Sequence, residues 1–380
     1  MTLLLSLLLI LICCLIIWRA SDGFEKASNY LGRNLSDGVR GATINAIGSS
    51  TPELFTTFFF FFYYYYFLGD LERANDGFAG GIGTTAGSAI FNGMIIPAVV
   101  ILGVIFAGLA RRVTVSRKVI LRDGLSLIFA EICLIFLISG TTLDWYHGLV
   151  LMSIYGMYAT VMFTTMSSGE RDDEEDKFYE NTSDRPWWQS LLTLDLAPLF
   201  VRSKISTATA WSLLVVATFI IGVACFLLVY SCELGAEALG INTYFVAVIL
   251  ASAATSVPDT ILSYRDAMEG EYDDAVANAL GSNIFDVCFA LGLPLFVFTL
   301  MHGPLEMNPN VVEDITELRV LLVVLTVIAF FVYITGKTMG RLKAALLLGL
   351  YGLFTVYIFS KAYHLEWATH VGDVLRSMIR

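Results

Sequence analysis

The sequence predicts an all-α membrane protein with ten transmembrane helices arranged as two inverted five-helix repeats. Three observations predict this fold. Of the 380 residues, 57% are hydrophobic and only 15% are charged, whereas an ordinary soluble domain carries about 25% charged residues. Apolar runs recur along the whole chain, and two short motifs occur once in each half. Because lipid offers the backbone no hydrogen-bond partners, such runs are predicted to be helices rather than strands.

Ten segments are long and apolar enough to cross about 30 Å of hydrocarbon as helices. Residues 1–18 are almost wholly apolar, like a signal sequence, but no basic segment precedes them and no clear cleavage site follows. We therefore interpret them as the first part of helix one. The predicted spans lie near residues 3–31, 37–66, 78–106, 118–138, 145–165, 207–238, 243–267, 273–301, 316–335 and 341–361.

One long polar segment separates the ten spans into two groups of five. It contains the run from Glu170 to Asp176, in which every residue but one is acidic. Such a charge run is typical of a solvated loop, and a regulatory cation site is the alternative. We predict a first repeat over residues 1–166, an acidic cytoplasmic loop over 167–204 and a second repeat over 205–380.

Basic residues predict the orientation in the membrane. Loops on the side of the long loop are rich in Lys and Arg, for example at Arg111, Arg112 and Lys118, whereas the opposite loops hold little beyond Arg73 and Arg319. The positive-inside rule then places the long loop in the cytoplasm and both termini outside. We expect a multi-pass protein of the plasma membrane, because no retrieval signal is recognisable.

Two classes of partner are disfavoured by composition. The formal net charge of −11 argues against a nucleic-acid partner, which would require a basic surface. The six cysteines lack CxxC spacing and lie in or near apolar segments, so we interpret them as small core residues rather than as a metal or disulfide framework.

The first repeated motif places an acid directly after a proline. The segment SSTPE, ending at Glu53, corresponds to TSVPD, ending at Asp259. Proline removes a backbone donor and frees the carbonyl four residues earlier, and the hydroxyl side chains add further oxygens. Such hard oxygen ligands suit Ca²⁺ or Na⁺. The residues of this motif that we predict to bind metal ions are Glu53, Asp259, Ser49, Ser50, Thr255 and Ser256.

The second repeated motif is GSAIFN, which ends at Asn92, and GSNIFD, which ends at Asp286. A serine lies four residues before each of these positions, so the two side chains share one helix face. With five spans per half, the second half enters the membrane upside down. Inverted repeats of this kind place the substrate site near the midplane. The predicted metal ligands of this motif are Ser88, Asn92, Ser282 and Asp286.

Acids at membrane depth need an explanation, because each costs about 2.5–3.5 kcal/mol at the helix centre on insertion scales. Glu53, Asp259 and Asp286 all belong to repeated motifs, which favours a functional role. Glu131 also lies in an apolar span but has no counterpart in the other half. For Glu131 we predict packing or an interhelical hydrogen bond.

These motifs resemble the two alpha-repeats of the sodium/calcium exchanger superfamily, and most closely those of the potassium-dependent sodium/calcium exchangers. GAT at 41–43 and GSSTPELF at 48–55 are similar to the first alpha-repeat, about residues 37–105. TSVPD and GSNIFD, running on to Pro294, are similar to the second, about residues 243–301. Two positions depart from the family: Ala254 replaces the usual Gly, and Ala89 replaces an Asn of the general first repeat.

The resemblance implies a ten-helix antiporter, not an enzyme, that works by alternating access with spans one and six rocking against the rest. Glu53 and Asp259 would hold Ca²⁺ and share Na⁺, and Asn92 and Asp286 would complete the central site. The transported ions take the place of a cofactor, and no protein partner is expected beyond the lipid bilayer. The hydroxyl residues that would help to coordinate Na⁺ are Ser49, Ser50, Ser88, Thr255, Ser256 and Ser282.

Counting charges refines this expectation. With three ionised acids, one Ca²⁺ leaves one negative charge uncompensated, which is costly at low dielectric, whereas three Na⁺ balance the site. We hypothesise that Asp286 is then protonated or neutralised by a bound K⁺. Three alternatives stay open: a Ca²⁺/H⁺ exchanger, which is the nearest, an intramembrane aspartyl hydrolase and a cation channel.

Overall fold

Long helices make up most of the described residues in the first half of the chain. The computed structural model describes residues 2–33, 46–67, 74–166, 186–201, 203–336 and 338–378. The elements of this half are α1 (Thr2–Leu31), α2 (Ala46–Ser49), α3 (Thr51–Phe67), α4 (Ala74–Phe106), α5 (Arg117–Leu137), β1 (Thr142–Leu143) and α6 (Trp145–Met166).

Two short helices precede the second half, and π-helical turns interrupt two of its long segments. The π-helical turns are Ala247–Ala251 and Asp286–Ala290. The other elements are α7 (Trp187–Leu192), α8 (Ala197–Phe200), α9 (Thr207–Leu239), α10 (Thr243–Val246), α11 (Ser252–Thr255), α12 (Val257–Glu269), α13 (Tyr272–Phe285), α14 (Leu291–His302), β2 (Leu305–Glu306), α15 (Pro309–Ile334), α16 (Arg341–Ala362) and α17 (Glu366–Ser377).

The helical membrane class predicted from the sequence is confirmed. Eight helices in the described part of the chain are long and apolar enough to cross a membrane. Two further helices coincide with predicted spans but fall outside that set. Of these, α3 has 17 residues, and α5 contains five charged residues. The strands β1 and β2 form a two-residue antiparallel pair and are the only strands among the described residues.

The buried apolar side chains form two separate large clusters. One is built mainly by α1 and α9, which pack along each other, with contributions from α3, α8 and the α10–α11 segment. The other, larger cluster joins α4, α5, α6 and the helices from α13 onward. The two clusters meet around α3 and the segment from α10 to α12, which carry part of the candidate site.

Close backbone approach occurs where α4 crosses the π-helical turn before α11. A Cβ on Gly87 would lie 2.2 Å from the carbonyl oxygen of Val248 and 2.9 Å from Cβ of Ser252. Glycine is therefore needed at this crossing, as expected for tightly packed membrane helices. The crossing brings Ser88, the next residue, into the centre of the bundle.

Three predictions from the sequence differ from the structure or lie beyond it. Arg319 was assigned to a loop; this is wrong, because it is fully buried within α15. Its guanidinium donates to the carbonyl oxygens of Ile135 and Ile315, at 3.1 and 3.2 Å, and these acceptors allow its burial. The acidic run at 170–176 and the GAT segment at 41–43 lie outside the described residues.

Candidate cation site

The first acid of the site stands at a break between two helices. The chain leaves the helix at Ser50, between α2 and α3, and the Thr51 hydroxyl donates to the Ile47 carbonyl at 2.7 Å. Pro52 follows in the first turn of α3, where its missing N–H costs no helical hydrogen bond. Glu53 comes next and is fully buried. A carboxylate in the first turn of a helix is favoured by the helix dipole.

The second acid repeats this geometry in the other half. The helix breaks at Ser256, between α11 and α12, and Pro258 occupies the first turn of α12. The Ser256 carbonyl accepts from the Thr260 N–H at 3.0 Å. Asp259, in the same turn, is also fully buried. The sequence correspondence between the two PE/PD motifs is therefore matched by the same local backbone arrangement.

The third acid begins the π-helical turn Asp286–Ala290, directly after α13. π-Helical turns inside α-helices are frequent at functional sites. Asp286 is fully buried, and Ser282 lies one helical turn before it. No feature of the sequence predicted this turn.

The three carboxylates converge. Glu53, Asp259 and Asp286 each offer one oxygen, and these three oxygens lie within 4.8 Å of one another. At about 4 Å and an effective dielectric of about 20, two unit charges repel by about 4 kcal/mol. Bound cations or protons are therefore needed to hold the three groups together away from water.

Ser88 links two of the acids. Its Oγ lies 3.2 Å from Glu53 Oε1, 3.1 Å from Asp286 Oδ2 and 2.8 Å from Ser256 Oγ. A hydroxyl carries a single proton, so Ser88 can donate to only one carboxylate at a time. The contact with the other carboxylate is favourable only when a proton or a cation lies there.

Asn92 links the remaining acid. Its Nδ2 donates to Asp259 Oδ2 at 3.2 Å and approaches Ser282 Oγ and Ser88 Oγ, each at 3.4 Å. The amide oxygen of Asn92 has no hydrogen-bond partner among the described residues, and neither does one oxygen of each of the three carboxylates. Buried acceptors are nearly always paired, so these four oxygens have the chemistry of cation ligands.

The structure brings together all ten residues predicted to bind metal ions. Each is at most 6% exposed, and seven of the ten are the three acids or the residues hydrogen-bonded around them described above. Ser49 and Ser282 interact with the Asp259 carboxylate, and Thr255 interacts with that of Glu53. Ser50 is fully buried and interacts with the carboxylate of Asp286.

Two contacts to this site were not foreseen. Asn283 donates from Nδ2 to the carbonyl oxygen of Ala89 at 2.9 Å, and these residues occupy the same position in the GSNIFD and GSAIFN motifs. Cys225 on α9 donates from Sγ to the Pro52 carbonyl oxygen at 3.5 Å. The position of Asn283 inside a repeated motif was a usable signal, whereas nothing around Cys225 indicated its role.

Glu131 lies apart from these residues. It is fully buried on α5 and accepts a hydrogen bond of 2.7 Å from the Thr326 hydroxyl on α15. The interhelical hydrogen bond predicted for Glu131 is therefore present.

Comparison with known protein families identifies the family of this chain. The family model described as "Sodium/calcium exchanger protein" matches residues 5–164 and 209–360. The chain belongs to this family. The unmatched interval between the two matches overlaps the acidic segment predicted to be a loop. The resemblance recognised in the repeated motifs is thereby confirmed.

The relatives of this chain include two human proteins. It is 27% identical over 372 residues to human sodium/potassium/calcium exchanger 5, in a match that covers 77% of this chain and 69% of that protein. It is 37% identical over 131 residues to human sodium/potassium/calcium exchanger 3, a match that covers 34% of this chain and 17% of that protein.

Two solved structures share the fold of this chain. The sodium-calcium exchanger NCX_Mj, soaked with Na⁺ and no Ca²⁺, has a TM-score of 0.55 and 21% identity, covering 93% of this chain and 98% of its own. The H⁺/Ca²⁺ exchanger CAX has a TM-score of 0.61 and 14% identity, covering 99% and 91%. At these identities the likeness extends to the fold alone.

Proposed function

We propose that this protein is a secondary active antiporter that exchanges Na⁺ for Ca²⁺ across a membrane by alternating access. The observation that carries the proposal is the convergence of Glu53, Asp259 and Asp286, fully buried and with one oxygen of each within 4.8 Å of the others. Membership of the sodium/calcium exchanger family supports it. So do relatives named as sodium/potassium/calcium exchangers.

In this proposal Glu53 and Asp259 bind Ca²⁺ and share Na⁺, and Asn92 and Asp286 complete the central site. The four unpaired oxygens of these residues supply ligands without breaking any hydrogen bond. The surrounding hydroxyls complete the Na⁺ sites, and because Ca²⁺ and Na⁺ need the same carboxylates, binding of one excludes a full load of the other. The hydroxyl ligands proposed are Ser49, Ser50, Ser88, Thr255, Ser256 and Ser282.

Counting the charges and protons of the site indicates what neutralises the third acid when Ca²⁺ is bound. Three acids and one Ca²⁺ leave one negative charge, and Ser88 can donate its proton to either Glu53 or Asp286 but not to both. We infer that Asp286 carries a proton or is neutralised by K⁺ when Ca²⁺ is bound. The Ser88–Asp286 distance of 3.1 Å suits a protonated carboxyl that donates to the serine oxygen.

The proposed topology is ten spans in two inverted five-helix repeats, over residues 1–166 and 205–380, joined by a cytoplasmic loop over 167–204. Helices α3 and α5, together with the eight other candidate spans, make up the ten. Backbone pairing between connections supports alternating helix directions. Val113, before α5, forms a β-bridge with Met339, after α15. At the other ends of these two helices, β1, after α5, pairs with β2, before α15. Both termini then lie outside the cytoplasm, and the plasma membrane is the proposed location.

A Ca²⁺/H⁺ exchanger is the second candidate. The Ser88 geometry favours it, because one of two carboxylates in contact with a single hydroxyl requires a proton or a cation. In this alternative Asp286 exchanges its proton with the aqueous phase in every cycle, and Na⁺ is not required.

Ion flux in reconstituted vesicles separates these candidates. A Na⁺ gradient should drive ⁴⁵Ca²⁺ uptake that survives a proton ionophore, and adding or omitting K⁺ tests its co-transport. Protein-free vesicles and the Asp259→Asn variant provide the background. Uptake driven by a proton gradient but not by a Na⁺ gradient would replace the proposal with the Ca²⁺/H⁺ exchanger, and uptake without any counter-ion would indicate a channel.

A further inference from the structure

A small cavity of about 20 Å³, with room for about one or two water molecules, lies beside the carboxylate site, between α1 and α12. Its inner end is formed by residues of the site motifs, because Ser49 precedes the α2–α3 break and Pro258 directly precedes Asp259. Its outer end is formed by charged residues of α1 and α12. The lining includes Ser21, Asp22, Glu25, Ser49, Pro258 and Arg265.

Ion pairs between α1 and α12 lie at the charged end of the cavity. Arg265 lies 2.9 Å from Asp22 and 3.6 Å from Glu25. Lys26 also pairs with Asp22, at 2.7 Å. Two acids and two bases pair here, and Asp266 and Glu269 lie close enough to interact with them electrostatically. The Arg265 side chain is 44% exposed, so it can leave its partners for water without crossing the packed interior.

The polar interior of the cavity has an unused ligand atom. Ser21 is 6% exposed, and its hydroxyl has no hydrogen-bond partner among the described residues. It lies one residue from Asp22 and lines the same cavity as Ser49. An unpaired buried hydroxyl between the acidic mouth and the central site is suited to an ion that has partly lost its water.

We propose that this cavity is an ion-access vestibule of the carboxylate site and that Arg265 is its electrostatic gate. Paired with Asp22 and Glu25, the guanidinium acts as a tethered cation that neutralises the mouth and joins α1 to α12. When Arg265 turns to water, Lys26 still pairs with Asp22, and the net negative charge left at the mouth attracts mobile cations inward. The inference rests on the proposed cation exchange and adds the entry route and the residue that controls it.

Charge-selective thiol labelling tests the vestibule without measuring transport. Ile261 lines the cavity, and Ile261→Cys is treated from each side of the membrane with a cationic and an anionic methanethiosulfonate reagent. The unsubstituted chain, with its native cysteines, gives the background. We expect labelling from one side only. Arg265→Gln should raise the cationic-to-anionic rate ratio roughly tenfold, as expected for removing one unit charge within several Å.

Two matched variants separate the gate from a general charge effect. Arg265→Lys keeps the charge and should leave the ratio near its original value. Arg117→Gln removes an exposed cation from the beginning of α5, away from the cavity, and should also leave it unchanged. Should Arg265→Gln fail to fold, Glu25→Gln provides the reverse test and should lower the ratio.

The outcomes distinguish this inference from the proposed function. Failure of Ile261→Cys to react in every background, or equal ratio changes in Arg265→Gln and Arg117→Gln, overturns the vestibule even if Na⁺-driven Ca²⁺ uptake is present. The expected labelling in a protein without Ca²⁺ flux keeps the cation vestibule and rejects the antiporter. In an active protein, Arg265→Gln should increase the apparent Ca²⁺ affinity on the vestibule side at low ionic strength, and salt should abolish the increase.

Discussion

Asn92 and Asp259 are joined by a hydrogen bond of 3.2 Å from the amide nitrogen to a carboxylate oxygen. The donor belongs to α4 in the first half of the chain, and the acceptor belongs to α12 in the second. Ser88 and Asp286 are related in the same way, at 3.1 Å. Neither half can therefore form the site alone, and a shift between the halves changes the ligand set directly.

Asp259→Asn should weaken Ca²⁺ binding at least about 30-fold. Removing one member of a buried, hydrogen-bonded charge set costs about 2–5 kcal/mol, and each 1.4 kcal/mol corresponds to tenfold in affinity. The measurement is ⁴⁵Ca²⁺ binding to purified protein in detergent, followed by vesicle uptake.

Glu131→Gln is the matched control for Asp259→Asn. Both changes replace a fully buried acid by its amide, and the amide oxygen of the introduced glutamine can still accept the hydrogen bond from Thr326. Ca²⁺ affinity should stay within about twofold of the original, because this position is outside the carboxylate cluster. Equal losses in the two variants would show that the cluster is not the binding site.

Asp286→Asn should remove the dependence of Ca²⁺ transport on K⁺ or on pH. The variant retains two acids, which a single Ca²⁺ neutralises, so no companion ion is needed. Uptake is measured across a range of K⁺ concentrations and pH values, with Ser282→Ala as a nearby variant that keeps all three acids. If both dependences persist unchanged in Asp286→Asn, the charge-counting argument is wrong.

Gly87→Ala should lower the free energy of unfolding by about 1–3 kcal/mol, as overpacking does in tight interiors. The new Cβ would lie 2.2 Å from the Val248 carbonyl oxygen, so α4 must move away from the π-helical turn. Thermal unfolding in detergent measures the effect. In Gly222→Ala nothing lies within 4 Å of the new Cβ, so the free energy of unfolding should be unchanged or higher. Similar shifts in both variants would contradict the close crossing.

Arg319→Lys should destabilise the protein more than Arg319→Met. The guanidinium satisfies three acceptors, the carbonyls of Ile135 and Ile315 and the Thr316 hydroxyl. Lysine retains the buried charge but not the planar fork of donors, whereas methionine removes the charge and fills similar space. Thermal unfolding compares the two, and wild-type stability of Arg319→Lys would refute a role for the guanidinium geometry.

The occurrence of the same motif in both halves of the sequence made the candidate site predictable. A buried acid after a proline is costly in a membrane, and finding it twice, at Glu53 and Asp259, identified both positions from composition and spacing alone. The apolar lengths likewise located the long helices, because lipid leaves a helix as the main way to satisfy the backbone. All these signals are local in the chain.

The features that were missed depend on contacts between distant segments. The π-helical turn at Asp286 inserts one extra residue per turn, and the sequence of that segment is compatible with an ordinary helix. Arg319 was counted among the basic residues of the loops when the orientation in the membrane was predicted. Its acceptor at Ile135 lies 184 positions away in the chain, and no local pattern indicates such a pairing.

The long first helix gives the bilayer a mechanical role. With 30 residues, α1 is about 45 Å long, which exceeds the roughly 30 Å of hydrocarbon in a typical bilayer. It belongs with α9 to an apolar cluster separate from the larger one, and its Leu4, Leu8, Leu11 and Leu15 side chains are exposed on the surface. In the proposed exchange cycle, movement of this pair would change how these leucines meet the lipid, as well as the ion pairs between α1 and α12. Bilayer thickness would then be a thermodynamic variable of the proposed exchange cycle, since each arrangement of α1 would suit a different hydrophobic thickness.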